Sequence, residues 1–265
     1  MRPLSALTRD EASALRGLLF DLDDTLLTHG SLTQDAYSAL WELKRAGLFL
    51  VAVTGRPAGW GEVIARQWPI DAAVTENGAV VISREKQAIR RQDMCDEAER
   101  RHRRVRLAGV VERVRDAVPE VRLADDVAAR TSDITFDIGE TVHLQDDRVE
   151  LVMKTIRDAG ARTMRSSVHV HATFDTHDKA SGAVGWLVGA RSEDASSALS
   201  RYAYVGDSGN DRACFAAFRT TFGVSNVSSS IDKLSVLPRF VAKSPMGQGF
   251  AEIARALLAA RAPSS

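Results

Sequence analysis

The sequence predicts an α/β protein with a parallel sheet, into which a separate, smaller α+β unit is inserted. Residues 18–20 and 49–53 are continuous apolar runs, which are typical of strands buried on both faces of a sheet. A helical pattern lies between them, and a strand, a helix and a strand in this order form a right-handed parallel unit. Between residues 85 and 177, alternating apolar residues indicate a second sheet of a different kind.

Composition restricts the classes of partner that the chain can have. The length of 265 residues fits two domains, or one domain with a large insertion. Lys+Arg and Asp+Glu number 35 each, so no net charge favours a nucleic acid or a membrane surface. No apolar run approaches the ~20 residues that span a bilayer, and the N-terminus lacks the apolar segment of a secretory signal. Because Cys95 and Cys214 form no disulfide framework, we expect a cytoplasmic setting.

Capping signals and periodicity predict the elements of the first part of the chain. Residues 8–11 fit a capping box, which predicts a short helix before the first strand. A helical apolar stripe over residues 36–43 ends at Gly47, and Pro57 is well placed to open the next helix. A third strand and a hairpin follow within residues 72–82.

The character of the chain changes after residue 84. Residues 84–116 are dense in arginine and keep a helical apolar stripe. Residues 134–138 and 168–172 alternate in strand fashion, with a helical pattern over 149–156 between them. This combination predicts a small α+β domain over residues 85–177.

The pattern of buried apolar strands and amphipathic helices seen in the first part returns after residue 177. A helical stripe begins at Lys179, residues 202–205 form another apolar strand, and a last helix is predicted after Gly249. The predicted division is a core of residues 1–84 and 178–265 with an insert of residues 85–177.

Polar residues follow the apolar strands where each strand ends. Asp21, Asp23 and Asp24 come directly after the first strand, and Asp21 and Asp23 share one face of an extended chain. Paired acids on one face suit a hard cation such as Mg²⁺ together with acid/base chemistry. Taken alone, this stretch is equally compatible with a solvated loop that contains a helix-capping aspartate.

Polar residues at other strand ends favour a cation site over a solvated loop. Thr54 follows the second strand, and Asp207 and Asp211 follow the strand over residues 202–205. The carboxyl ends of parallel strands lie along one edge of a sheet, where ligands bind. Converging carboxylates raise one another's pKa unless a cation is present, and oxygen ligands select Mg²⁺ over zinc.

Four motifs, in order along the chain, carry a family resemblance. They are Phe20-Asp21-Leu22-Asp23-Asp24-Thr25-Leu26, Thr54-Gly55-Arg56, Lys179 at a helix start, and Gly206-Asp207-Ser208-Gly209-Asn210-Asp211. This set resembles the haloacid dehalogenase superfamily in its phosphatase form. Glu76-Asn77-Gly78-Ala79 and an insertion of about 90 residues resemble the subgroup with a large C2-type cap, which includes the Cof-like, sucrose-phosphate, mannosyl-phosphoglycerate and trehalose-phosphate phosphatases. The resemblance implies a Rossmann-like core and an inserted cap that determines substrate specificity.

The resemblance also implies roles for single residues. Asp21 would be the nucleophile that forms an aspartyl-phosphate, and Asp23 would protonate the leaving alcohol and then deprotonate the attacking water. Thr54 and Lys179 would hold the phosphoryl oxygens. Asn210 would orient Lys179 or a metal-bound water.

The same resemblance implies a Mg²⁺ site. The ligands would be Asp21, the backbone carbonyl of Asp23, and Asp207, with Asp211 binding directly or through water. Around this site we expect contacts to substrate or phosphate from further residues of the motifs. These residues are Gly55, Arg56 and Asn77, although Arg56 pairing with a site carboxylate and Asn77 forming an ordinary turn are open alternatives.

Histidines near the last strands of the insert add a further possibility. His169 and His171 share a strand face, which permits a metal pair, but the sequence shows no cysteine or third close ligand that would support zinc. Contact with substrate, or a solvent-facing strand, is the favoured interpretation.

The resemblance thus implies a Mg²⁺-dependent phosphomonoester hydrolase. Its substrate would be a small phosphorylated metabolite, with sugar phosphates or phosphoglycerate derivatives favoured by the subgroup. Asp23 argues for an alcohol leaving group, because dehalogenases of the superfamily lack an acid at this position. Two alternatives stay open: a phosphosugar mutase of the same architecture, and a non-catalytic sensor of a phosphorylated ligand.

Overall fold

The structure, a computed structural model, describes residues 1–86, 88–166 and 168–262. Within these residues the chain forms two sheets, each covered by helices. Residues 87 and 167 of the predicted insert, and residues 263–265 of the predicted core, lie outside the described part.

Thirteen strands and nine helices make up the regular structure of the described residues. The first group is β1 (Arg2–Pro3), α1 (Arg9–Ala14), β2 (Gly17–Phe20), α2 (Gln34–Arg45), β3 (Phe49–Val53), α3 (Ala58–Gln67), β4 (Ala72–Thr75), β5 (Val80–Glu85) and β6 (Ala88–Asp93). The second group is α4 (Glu97–Ala117), β7 (Arg122–Leu123), β8 (Asp133–Asp137), α5 (Asp146–Asp158), β9 (Arg162–Arg165) and β10 (His169–Thr173). The third group is α6 (Lys179–Arg191), α7 (Ala195–Arg201), β11 (Tyr202–Gly206), α8 (Arg212–Ala217), β12 (Thr220–Gly223), β13 (Phe240–Val241) and α9 (Met246–Arg261).

The larger sheet contains nine strands of the described chain, in the order β1-β13-β12-β11-β2-β3-β4-β5-β6. Its first seven strands run parallel, and β5 and β6 add an antiparallel hairpin at one edge. The predicted α/β class, with a large parallel sheet, is confirmed.

Helices cover both faces of this sheet, which is why its central strands are apolar throughout. On one face α1, α2 and α9 pack against it, and the Phe20 and Phe250 rings meet edge to face at 5.2 Å. On the other face, Leu187 of α6 and Phe215 of α8 belong to a second apolar cluster. None of the described helices combines the length and apolarity needed to cross a bilayer.

The insert has a sheet and a hydrophobic core of its own. Its four described strands are antiparallel in the order β7-β8-β10-β9. Phe136 and Val170 pack with Val114 of α4 and Val152 of α5. Because side chains alternate along a strand, the neighbours of Val170, His169 and His171, are on the sheet face opposite to these helices.

One difference from the sequence prediction concerns the edge of the larger sheet. The predicted division between residues 84 and 85 falls inside the β5–β6 hairpin, and β6 pairs with β5 along its whole length. The sequence of β6, Ala-Ile-Arg-Arg-Gln-Asp, lacks apolar alternation because it is a mostly exposed edge strand. Hydrophobic periodicity therefore contains no signal for it.

A second difference concerns the last helix, which begins at Met246 and not after Gly249. Gly249 lies inside the first turns of α9, where a Cβ atom would come within 2.3 Å of the carbonyl oxygen of Ser244. This glycine is thus required by close packing and does not mark a helix boundary.

Candidate active site

The predicted site residues lie at the carboxyl ends of three neighbouring strands. β11, β2 and β3 are adjacent in the sheet, with Val205 beside Phe20 and Phe20 beside Ala52. Asp207, Asp21 and Thr54 follow these strands, and all three are buried. The parallel arrangement thus brings together residues that are far apart in the sequence.

Lys179 joins two of the carboxylates. Its Nζ atom lies 2.8 Å from Asp21 Oδ2 and 2.8 Å from Asp211 Oδ1, and the lysine side chain is 1% exposed. Asp178 caps the start of α6 and so places Lys179 in the first turn of that helix. Burial alone would lower the pKa of Lys179, but the two carboxylates raise it, so the ammonium group is charged.

Asp21, Asp207 and Asp211 each offer an oxygen within 4.8 Å of the others. Burial is the main cause that raises the pKa of Asp21 to about 8, with Lys179 opposing it and Asp211 adding to it. Burial, and then Asp211 and Asp21, also raise the pKa of Asp207 well above its usual range. Three buried carboxylates against one ammonium leave an excess of negative charge, which a divalent cation with oxygen ligands would relieve. The donor set therefore fits Mg²⁺.

Asp211 has the most partners of these three acids. Its Oδ1 accepts from Lys179 and from the Tyr204 hydroxyl, which lies at 2.6 Å. Its Oδ2 accepts from the backbone amides of Asp207 and Ser208, at 2.9 and 3.1 Å. These bonds hold the loop after β11 in place and fix the position of the Lys179 ammonium.

Asp23 points toward Arg56. The Nη2 atom of Arg56 donates to Asp23 Oδ1 over 2.7 Å, and Nε lies 3.1 Å from both carboxylate oxygens. Of the two open interpretations of Arg56, the structure therefore shows the ion pair. The neighbouring Asp24 has a φ of +54° and its carbonyl accepts a hydrogen bond from Asn226, so its visible contribution is to the turn after β2.

Thr54, Gly55 and Asn77 meet beneath the insert. The Thr54 hydroxyl accepts from the Arg56 amide over 3.0 Å, and the Thr54 carbonyl accepts from the Asn77 amide over 3.0 Å. A Cβ atom on Gly55 would lie 3.2 Å from Cε1 of His171 and 3.3 Å from the Asn77 amide group. The absence of a side chain at Gly55 thus permits the insert to approach the core here.

Two histidines of the insert line the same cavity as Asp21, Asp23 and Arg56. His171 Nδ1 lies 2.8 Å from Asp133 Oδ2, and His169 Nε2 lies 2.7 Å from Glu140 Oε2. Burial lowers the pKa of His171 despite the opposing effect of Asp133. The two histidines thus have separate carboxylate partners within the insert.

Asn210 also lines this cavity, and its Oδ1 accepts from the Ser208 hydroxyl over 2.8 Å. The predicted contact with Lys179 is not among the contacts of the described residues, so the role of Asn210 stays a prediction. Ser166, on the loop before β10, completes the lining from the side of the insert.

Sequence reasoning missed Asn226, which holds two parts of the site. Its Nδ2 atom donates to Asp207 Oδ2 and to the Asp24 carbonyl, each over 2.9 Å. Its Oδ1 accepts from the amide of Met246 at the start of α9. Asn226 follows β12 at the same sheet edge as the other site residues, so the rule about strand ends could have found it.

Glu76 has a structural role that the sequence did not indicate. Its buried carboxylate accepts from the amide of Ala58 at the start of α3 and from the amides of Thr131 and Ser132 in the insert. Glu76 thus connects core and insert beside the site.

Comparisons with known proteins agree with this geometry. Residues 18–102 match the family of haloacid dehalogenase-like hydrolases. The fold matches a Cof-like hydrolase of the haloacid dehalogenase family from Plasmodium vivax, with a TM-score of 0.68, 16% identity, and coverage of 95% of this chain and 99% of that one. Within residues 18–102 the chain thus matches this family by sequence, and the matched segment contains the first two of the four motifs. The resemblance inferred from the four motifs is thereby confirmed.

Two further solved structures share the fold of this chain. A protein from Thermoplasma acidophilum matches with a TM-score of 0.72 and 18% identity, covering 92% of this chain and 98% of that one. The sucrose-phosphatase from Synechocystis, in complex with sucrose and phosphate, matches with a TM-score of 0.64 and 16% identity, again covering 92% and 98%. No curated protein gives a significant sequence match.

Proposed function

We propose that the protein is a Mg²⁺-dependent phosphomonoester hydrolase that forms a phosphoryl-enzyme intermediate on Asp21. The observation that carries this proposal is the position of Lys179, 2.8 Å from Asp21 Oδ2, with a second acid two residues further along at Asp23. Sequence similarity to haloacid dehalogenase-like hydrolases and structural similarity to a sucrose-phosphatase support a phosphatase-type activity.

In the first step the Asp21 carboxylate attacks phosphorus, and the bond from phosphorus to the leaving oxygen breaks. Negative charge is spread over the phosphoryl oxygens during this transfer, and fixed positive charge stabilises it. The buried Lys179 ammonium supplies such charge, and the Thr54 hydroxyl at the end of β3 supplies a hydrogen-bond donor.

Asp23 transfers the proton in both steps. It protonates the departing alkoxide, and as the conjugate base it then takes a proton from the water that attacks the aspartyl-phosphate. The Arg56 side chain holds the Asp23 carboxylate in the cavity that also contains Asp21. One group thus serves as acid and base in turn.

Asp21, Asp207 and the backbone carbonyl of Asp23 would hold Mg²⁺, whose charge would offset that of the phosphoryl group. Asp211 fits binding through water better than direct binding, because both of its oxygens already accept two hydrogen bonds. The cavity between insert and core is lined by residues of both, so the insert limits the access of bulk water to the reacting groups.

We further propose a small phosphorylated metabolite as substrate, such as a sugar phosphate or a phosphoglycerate derivative. The side chains from the insert that line the cavity, Ser166, His169 and His171, can all form hydrogen bonds. This lining suits a hydroxyl-rich leaving group. The sucrose-phosphatase similarity supports the same class.

The test compares Asp21→Asn with the parent on p-nitrophenyl phosphate, before and after metal removal by chelation and with Mg²⁺ restored. We expect turnover in the parent only with Mg²⁺, and no turnover in Asp21→Asn. Asp35→Asn, an exposed acid in the first turn of α2, is the matched control and should retain full activity. Turnover by Asp21→Asn, or metal-independent turnover by the parent, would contradict the proposal.

With a sugar phosphate as substrate, release of free phosphate distinguishes a hydrolase from a mutase, which would yield an isomerised sugar phosphate.

A further inference from the structure

The guanidinium group of Arg56 lies between a carboxylate of the core and a carboxylate of the insert. It donates to Asp23 through Nη2 and Nε, and its Nη1 atom lies 3.5 Å from Glu140 Oε1. The Arg56 side chain is 9% exposed and packs over the Trp60 ring at 4.6 Å. One buried cation thus connects Asp23 to the insert.

Contacts within the insert determine where Glu140 lies. The loop after β8 folds around the Asp137 carboxylate, which accepts from the backbone amides of residues 139–142. His169, on the adjacent strand β10, lies 2.7 Å from Glu140 through Nε2. Glu140 is therefore held by contacts within the insert as well as by Arg56.

Asp23 is held much less firmly. It lies in the turn after β2, where its own ψ of 127° and the φ of +54° at Asp24 are not helical. Its side chain is 25% exposed, and Arg56 is its hydrogen-bonding side-chain partner among the described residues. The orientation of the Asp23 carboxylate thus depends on where the Arg56 guanidinium lies.

We propose that Glu140 is a positioning residue, which keeps Arg56 in the place from which Arg56 orients Asp23 for proton transfer. This inference rests on the proposed function, since it assigns Asp23 to the proton. Because Glu140 belongs to the insert, the orientation of Asp23 is complete only when the insert lies against the core. The packing of the insert against the core and the orientation of Asp23 for proton transfer are thereby coupled.

The test uses two substrates of similar size that differ in their need for a proton. Phenolate is a much stronger base than p-nitrophenolate, so phenyl phosphate depends on Asp23 for its departure and p-nitrophenyl phosphate does not. In Glu140→Gln we expect kcat/KM for phenyl phosphate to fall about tenfold, and that for p-nitrophenyl phosphate to change less than about twofold. Glutamine keeps an oxygen that accepts from His169 and removes only the charge beside Arg56.

Three further variants make the test specific. Glu150→Gln, an exposed position of α5, should leave both substrates unaffected. Glu140→Asp, which retains the charge, should restore most of the phenyl phosphate activity. In an Asp23→Asn background, Glu140→Gln should have no further effect on phenyl phosphate, because the group through which it acts is absent.

The outcomes separate the two proposals. A parallel loss on both substrates would indicate a merely structural role for Glu140 and would overturn the inference, as would an unchanged ratio of the two kcat/KM values. If the parent hydrolysed neither aryl phosphate in the presence of Mg²⁺, the proposed function would fail, and the role of Glu140 would fail with it.

Discussion

Arg130 of the insert donates a hydrogen bond to the backbone carbonyl of Gly55 in the core, over 2.9 Å. Gly55 directly follows Thr54, so this bond holds the insert against the strand end that carries a site hydroxyl. Arg130 also pairs with Asp126 and Asp133, at 2.8 and 3.1 Å, and its side chain is fully buried. The insert and the core thus share a buried cluster of charges beside the site.

Replacing Arg130 with methionine should destabilise the protein strongly. The change keeps much of the side-chain volume but leaves Asp126 and Asp133 without a cation, and breaking a buried ion pair costs about 3–5 kcal/mol. Urea denaturation of Arg130→Met and the parent measures this cost. Arg157→Met, an exposed position of α5, is the control and should change the free energy of unfolding by less than about 0.5 kcal/mol. A loss below about 1 kcal/mol in Arg130→Met would contradict the importance of this cluster.

Asp133 should make the stability depend on pH in the acid range. Burial alone would raise the pKa of this carboxyl, but Arg130 and the hydrogen bond from His171 lower it to about 2, from 3.8. The contribution of Asp133 is thus complete above pH 3.8 and is lost as the pH falls toward 2. The difference corresponds to roughly 2 kcal/mol.

Urea denaturation between pH 5 and pH 2 checks this prediction on the parent and on Asp133→Asn. The parent should lose stability more steeply than the variant, by roughly 2 kcal/mol over this range. Asp147→Asn, an exposed position of the same insert, should follow the parent. If the free energy of unfolding changed with pH in the same way in the parent and in Asp133→Asn, the lowered pKa of Asp133 would be contradicted.

Asn226→Ala should weaken the binding of Mg²⁺ at the proposed site. Asn226 donates to Asp207 Oδ2 and to the Asp24 carbonyl, so its removal frees a proposed ligand and the turn after β2. Loss of a group that orients a metal ligand typically reduces metal affinity about 10- to 100-fold. We therefore expect the Mg²⁺ concentration for half-maximal hydrolysis of p-nitrophenyl phosphate to rise by about that factor, with a smaller change in kcat at saturating Mg²⁺.

Ser229→Ala is a suitable control for Asn226→Ala. Its hydroxyl donates to the backbone carbonyl of Asn226 and does not contact Asp207 among the described residues. It should leave the Mg²⁺ dependence unchanged. An unaltered Mg²⁺ dependence in Asn226→Ala would instead argue that Asp207 needs no support from this side chain.

The sequence predicted those features that depend on local patterns. Continuous apolar runs identified β2, β3 and β11, because strands buried on both faces need no alternation. The parallel arrangement then placed Asp21, Thr54 and Asp207 at one edge. The same rule covers Asn226 after β12, but this residue was not singled out, because a single amide without neighbouring acids does not stand out in the sequence.

Long-range contacts between core and insert could not be predicted. The pairing of Arg56 with Glu140, and of Arg130 with Gly55, depends on how the insert packs on the core, which local periodicity does not determine. Glu76 is a related case. Its sequence context, Glu76-Asn77-Gly78, indicates a turn, and only the folded chain brings its carboxylate to the amides of Thr131 and Ser132.

The most direct test of the central claim is to identify the residue that carries the phosphoryl group. The parent would be mixed with p-nitrophenyl phosphate and Mg²⁺, quenched in acid during turnover, digested and sequenced by tandem mass spectrometry. We predict one added phosphoryl group on Asp21 in the parent, and none in Asp21→Asn. Turnover with the phosphoryl group on another residue, or with no phosphorylated peptide at any quench time, would contradict the assignment of Asp21 as the nucleophile.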